Sequence, residues 1–136
     1  MKPTILIIDG MDRTGKTSLI REINKLTDYL PLIIDRGPIG YKTYCELYSR
    51  EVKPEAYDNL ERELCNVKHL CVYLHASQAV IEQRFLDTGE PVLKWSVKKN
   101  LDVYNKYYEL SKLNKIKFDS GKLTTAQLAR FVIEAL

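Results

Sequence analysis

The chain has 136 residues, 45% hydrophobic and 29% charged, a balance that fits one globular domain over residues 1–136 and excludes a disordered or fibrous chain. A net charge of +3 suits an anionic substrate without calling for nucleic acid. No apolar run approaches the length of a membrane span, and the one after Met1-Lys2-Pro3 stops at Asp9, too early for a secretory signal, so a cytoplasmic protein with no membrane partner is expected.

In chain order, Thr4-Ile5-Leu6-Ile7-Ile8 is a β-branched apolar run that reads as a buried parallel strand. Leu19, Ile20, Ile23 and Leu26 then recur at helical spacing. Pro31-Leu32-Ile33-Ile34-Asp35, closed by Arg36-Gly37-Pro38, predicts a second strand. Tyr41, Tyr44, Leu47 and Tyr48 predict a helix, and Pro54 opens another with Tyr57, Leu60, Leu64 and Val67 on one face. His69-Leu70-Cys71-Val72-Tyr73-Leu74 is a third strand, and Ser77 caps a helix running to about Phe85, with a lid-like loop over about 86–94. Val97, Leu101, Tyr104 and Tyr108 stripe a long helix, and Lys115-Ile116-Lys117-Phe118 is a fourth strand. Thr124 with Gln127 makes a capping box for a last helix that buries Leu128, Phe131, Val132 and Ala135. Strands alternating with helices predict an α/β fold: a three-layer αβα sandwich on a parallel sheet of about four strands.

The chemistry concentrates in Gly10-Met11-Asp12-Arg13-Thr14-Gly15-Lys16-Thr17, which fits the phosphate-binding pattern G-x-x-x-x-G-K-[ST] between a strand and a helix. Glycines let backbone N–H groups curl round a polyphosphate, and the helix N-terminus adds partial positive charge. Lys16 then reaches the β- and γ-phosphates of ATP, the Thr17 hydroxyl takes Mg²⁺, and Ser18 completes the donor loop. In open parallel sheets ligands bind beyond the carboxyl ends of the strands, so Asp35 and Arg36 at the second strand's end carry weight. Asp35 is the candidate to order Mg²⁺ or accept a proton from an attacking hydroxyl, and Arg36 offers a planar fork for a phosphate. Asp9 ends the first strand ahead of the loop, and His75 and Asp119-Ser120-Gly121 end the third and fourth.

The loop with Asp12 and Arg13 ahead of Thr14-Gly15-Lys16-Thr17 resembles that of thymidylate kinases, in particular the subgroup with an arginine inside the loop. Asp35-Arg36-Gly37-Pro38 resembles that family's Asp-Arg segment, and Tyr44, nine residues after the aspartate, holds the place of a tyrosine lying against the sugar. Glu82-Gln83-Arg84-Phe85 is similar to the helix leading into its lid, and Phe118-Asp119-Ser120-Gly121 to its adenine-side turn. The resemblance implies a P-loop kinase fold and transfer of a phosphoryl group from ATP to a (deoxy)nucleoside monophosphate. It implies Arg13 as an in-cis arginine stabilising transition-state charge, Asp12 near the acceptor's sugar, and Asp35 with Arg36 at the acceptor phosphate and metal. Arg84 is implied as a lid-side arginine near the donor.

The chain departs from that family in one place above all. Nineteen positions separate Lys16 from Asp35, where the family places another strand and helices that grip the acceptor base. Gly40 also stands where the family often has serine. The acceptor side is therefore open, rebuilt by a second subunit in a homodimer, or made for a different molecule. The short spacing resembles polynucleotide 5′-hydroxyl kinases, so a nucleic acid end is a second possible acceptor, with tyrosines as stacking surfaces. A nucleotide-binding switch without phosphoryl transfer is the third class.

The remaining residues read as structural. His69 is expected at the surface, His75 and Trp95 in packing, and Cys65 and Cys71 as buried, reduced thiols. Tyr104 and Tyr108 fall on a core stripe, Lys112, Lys115 and Lys117 line a solvated edge, and Lys94, Lys98 and Lys99 make at most a basic patch.

Overall fold

A computed structural model describes residues 4–89 and 95–136. Four parallel strands form one sheet: β1 (Ile5–Asp9), β2 (Leu32–Asp35), β3 (His69–His75) and β4 (Lys115–Asp119), in the order β2-β1-β3-β4. The helices between them are α1 (Lys16–Thr27), α2 (Pro38–Leu47), a 3₁₀ turn at Pro54–Tyr57 running into α3 (Asp58–Cys65), α4 (Gln78–Thr88), α5 (Val97–Leu110) and α6 (Thr125–Ala135).

The central strands are apolar on both faces because helices cover both. On one face Leu6, Ile8, Leu70, Val72 and Leu74 pack with Leu19 and Ile23 of α1 and Leu128, Ala129 and Val132 of α6. On the other, Ile7, Cys71 and Tyr73 pack with Ile39 and Tyr44 of α2, Ile81 of α4, and Val97 and Tyr104 of α5. Alternation along each strand thus sorts neighbouring residues into two cores. This is the predicted three-layer sandwich. Register places Ile8 beside Asp35 and Val72, and His75 beside Asp119, so all strand ends meet on one edge of the molecule.

Several local expectations are corrected. In α3 only Leu64 is buried; Leu60 is exposed, and Val67 lies beyond the end of the helix, exposed. In α6 the buried stripe is Leu128, Ala129 and Val132, leaving Phe131 and Ala135 exposed. The helix from Ser77 runs on to Thr88 and ends at Gly89 with φ +66°, so 86–88 of the lid-like loop is helical. The rest of that loop, Lys94 included, lies outside the described residues.

His69 is buried: its Nδ1 lies 2.9 Å from the Val67 carbonyl, and its Nε2 accepts the Asn114 amide at 2.8 Å, which fixes the tautomer. Cys65 is exposed, at the end of a helix with one buried residue. Lys115 lies over the end of α5, where its ammonium donates to the Tyr108 and Ser111 carbonyls and complements the helix dipole.

Candidate functional site

The glycine loop grows directly out of β1. Gly10 adopts φ +142°, and a side chain there would run into the Leu74 carbonyl of β3, so the turn needs glycine. The Thr14 hydroxyl donates to the Met11 carbonyl at 2.7 Å and closes the loop on itself. Met11's side chain is buried in the core, so only its backbone faces the loop. The Lys16 ammonium donates to Gly10 O at 2.8 Å and Met11 O at 3.4 Å, folded over the loop it serves. Burial lowers the Lys16 pKa from its ordinary value, and the Arg36 charge lowers it further, against Asp12, Asp35 and Asp9. Those charges bear on one ammonium, so both strand-end segments converge there. Asp12, Thr17, Ser18 and Asp35 are exposed around it.

Behind the loop stands Asp9, the strand-terminal residue of β1, to which the sequence alone assigns no role. Asp9 has no exposed surface. Its Oδ1 accepts the Gly10 amide at 2.9 Å, and its Oδ2 accepts the Gly37 and Gly40 amides at 3.0 and 2.8 Å. The Tyr104 hydroxyl lies 3.2 Å from Asp9 Oδ1 and 3.0 Å from Gly10 O, sharing its proton between them. Burial pushes the Asp9 carboxyl above its ordinary range, while the three amides and Lys16 favour the anion.

Arg36 occupies the turn these bonds hold. Its amide donates to Ile8 O at 2.8 Å and its backbone sits at φ +72°, a conformation side chains seldom adopt. The guanidinium lies over the Tyr44 ring at 4.2 Å, donates toward the Tyr44 hydroxyl at 3.4 Å and approaches Asp12 at 3.8 Å. Its Nε is buried with no hydrogen-bond partner among the described residues. Tyr44 itself is nearly buried, one face covered by Arg36 and its edge against Tyr104, so it acts here as the bed of the arginine.

At the other end of the loop, Arg84 of α4 donates to the Arg13 carbonyl at 2.7 Å, to Ser120 Oγ at 3.1 Å and to Ser120 O at 2.9 Å. It clamps the loop to the turn after β4. Arg13 also has positive φ, +68°, and its guanidinium lies over the Phe85 ring at 5.3 Å. Arg13, Thr14, Gly15, Ser18, Arg84 and Ser120 border a cavity of about 390 Å³ beside the loop. A larger cavity of about 670 Å³ lies between α2, α3 and α5. Lys42 there is bound to Asp58 and Glu61, and Glu61 accepts from Ser111. The larger cavity runs to Leu110 at the end of α5, whereas the 390 Å³ cavity is bordered by the glycine loop itself.

The structure therefore gathers Arg13, Lys16, Asp35, Arg36, Tyr44 and Arg84 at one end of the sheet. Three participants were given no role in the site from sequence. Tyr104 read as core, which it also is, and Gly40 only as a missing serine. Asp9 had one signal: an ionisable residue ending an otherwise apolar buried strand, directly before the loop.

Neither a protein-family model nor a curated protein matches the chain. Among solved structures, the chain is similar to the YorR protein of Bacillus subtilis, crystallised in complex with phosphorylated GDP: TM-score 0.80 at 19% identity, covering 97% of this chain and 95% of that one. At this identity the likeness establishes the fold.

Proposed function

We propose that the protein is an ATP-dependent kinase that transfers the γ-phosphoryl group to a (deoxy)nucleoside monophosphate, in the manner of thymidylate kinases. The observation that carries this is the joining of two anion-binding turns by one buried carboxylate: the Lys16 loop and the Arg36 turn both hang on Asp9. A binding module needs the first turn only. The nucleotide in the structure of YorR, whose fold this chain shares, supports a nucleotide ligand.

The residues fit the groups they are assigned. Loop amides and Lys16 hold the donor phosphates, and the 390 Å³ cavity takes the donor nucleoside. Arg36 presents a desolvated, unpartnered N–H and a guanidinium fixed on Tyr44, which suits the acceptor phosphate. Thr17 and Asp35, both exposed and oxygen-bearing, would hold Mg²⁺, a hard cation that would neutralise charge on the phosphates. Arg13 swings from Phe85 to the transferred group, where positive charge is needed only as the bond breaks. Asp35 orients the acceptor. Catalysis is by positioning and electrostatics, with no covalent intermediate.

The test is Mg²⁺-dependent transfer of label from γ-labelled ATP to deoxynucleoside monophosphates, ribonucleoside monophosphates, nucleosides and 5′-hydroxyl DNA and RNA. Label in a nucleoside diphosphate, absent with Lys16→Ala, is the expected result. Label on polynucleotide ends only, or on nothing while ATP is bound, would overturn the proposal.

A further inference from the structure

Resting on the kinase proposal, we infer that Asp9 is a positioning residue: it sets the spacing between the donor loop and the acceptor turn, and acts through the amides of Gly10, Gly37 and Gly40.

Asp9 is the one fully buried carboxylate among the described residues. A carboxylate taken out of water costs free energy unless donors surround it. Here the amides of Gly10, Gly37 and Gly40 and the Tyr104 hydroxyl lie within hydrogen-bond distance. All four are donors, so the bonds favour the anion. A neutral brace would have served the fold at lower cost, yet this one sits between the two turns that must meet the reacting phosphates.

Its reach across sequence defines what it controls. Oδ1 holds the first residue of the phosphate loop; Oδ2 holds residues on either side of Pro38-Ile39, opening α2. Arg36, directly before this pair, is kept at φ +72°. Backbone strain of that kind persists only when the surroundings over-determine it. Gly40 shows how close the packing is: a Cβ there would overlap Asp9 Oδ1 and stand 2.5 Å from Arg36 Cγ and 2.9 Å from the Tyr104 hydroxyl. A side chain at this position would force the carboxylate, Arg36 or Tyr104 to shift. A displacement of an ångström between reacting groups is enough to lower a rate a hundredfold.

Two variants test this. Asp9→Ala removes all four acceptor contacts. Asp9→Asn keeps the volume but has one accepting oxygen, so either the Gly37–Gly40 pair or the Gly10 amide loses its acceptor. In both, hydrogen exchange at the affected glycine amides is expected to rise at least about tenfold, while Leu19 and Ile23 in α1 stay protected. The acceptor kcat/KM is expected to fall about a hundredfold with ATP affinity, measured without acceptor, nearly unchanged. Unchanged exchange at Gly10, Gly37 and Gly40 would overturn the inference. So would ATP affinity and kcat falling together, the mark of a merely structural residue. If the unaltered protein transfers no phosphoryl group, the kinase proposal fails by itself, and exchange at the glycines alone decides whether Asp9 braces the turns.

Discussion

Arg13 and Arg36 are both held in the left-handed region, at φ +68° and +72°, where arginine has no intrinsic reason to be. Each is fixed by groups from elsewhere in the chain: Arg13 by Arg84 on its carbonyl and Phe85 under its guanidinium, Arg36 by Tyr44. Strain of about 1–3 kcal/mol per residue is the usual cost of such conformations, and it concentrates at functional sites. Arg13→Ala is expected to lower kcat about a thousandfold with little change in ATP affinity measured by calorimetry, because in the proposed mechanism the guanidinium acts on charge that develops during transfer. Asp35→Asn is expected to lower kcat in a steady-state assay by about a hundredfold or more, leaving the melting temperature near that of the parent, since Asp35 is exposed.

Among the elements, the opening of α2 is the least tolerant. Gly40→Ala is expected to destabilise the protein by about 1–3 kcal/mol in urea unfolding, with loss of activity, because the added methyl displaces Asp9, Arg36 or Tyr104. The junction of α2 with α3 and α5 depends on charge instead. Burial opposes the Glu61 anion, but hydrogen bonds from Ser111 and Lys42 overcome it and hold the carboxyl below its ordinary 4.5. A depressed carboxylate stabilises the fold fully above its unfolded value, and that stability is lost as pH falls through the lower folded value. Melting temperature should therefore drop on acidification below about 4.5, and Glu61→Gln should flatten that drop.

Strands and helices were legible because their causes are local. The runs Ile5-Leu6-Ile7-Ile8 and Leu70-Cys71-Val72-Tyr73-Leu74 are apolar, as strands buried on both faces must be, and the Thr124–Gln127 capping box is formed as its spacing implies. Faces were less legible where helices are short: Leu60 and Leu64 stand one turn apart in α3, yet only Leu64 is covered.

At the scale of the whole molecule, the phosphate loop and the Asp35–Arg36 turn could be read as a pair because each is a contiguous segment ending a strand. What joins them could not. Tyr104 meets Asp9 across 95 positions, Gly40 across 31, and Arg84 reaches the Arg13 carbonyl across 71, contacts that exist only once the sheet order β2-β1-β3-β4 is set. No periodicity distinguishes a tyrosine that packs from one that also bonds a buried carboxylate, and Tyr104 does both. The same topology explains how a chain with so short a path from Lys16 to Asp35 keeps both turns on one edge: β2 pairs directly with β1, and Ile8 lies beside Asp35.

The most direct test follows ATP, Mg²⁺ and a mixture of nucleoside monophosphates with the protein by ³¹P NMR. The account predicts ADP and a nucleoside diphosphate appearing in equal amounts, with no growth of the inorganic phosphate signal. ATP left intact, or ADP accompanied only by inorganic phosphate, would contradict it.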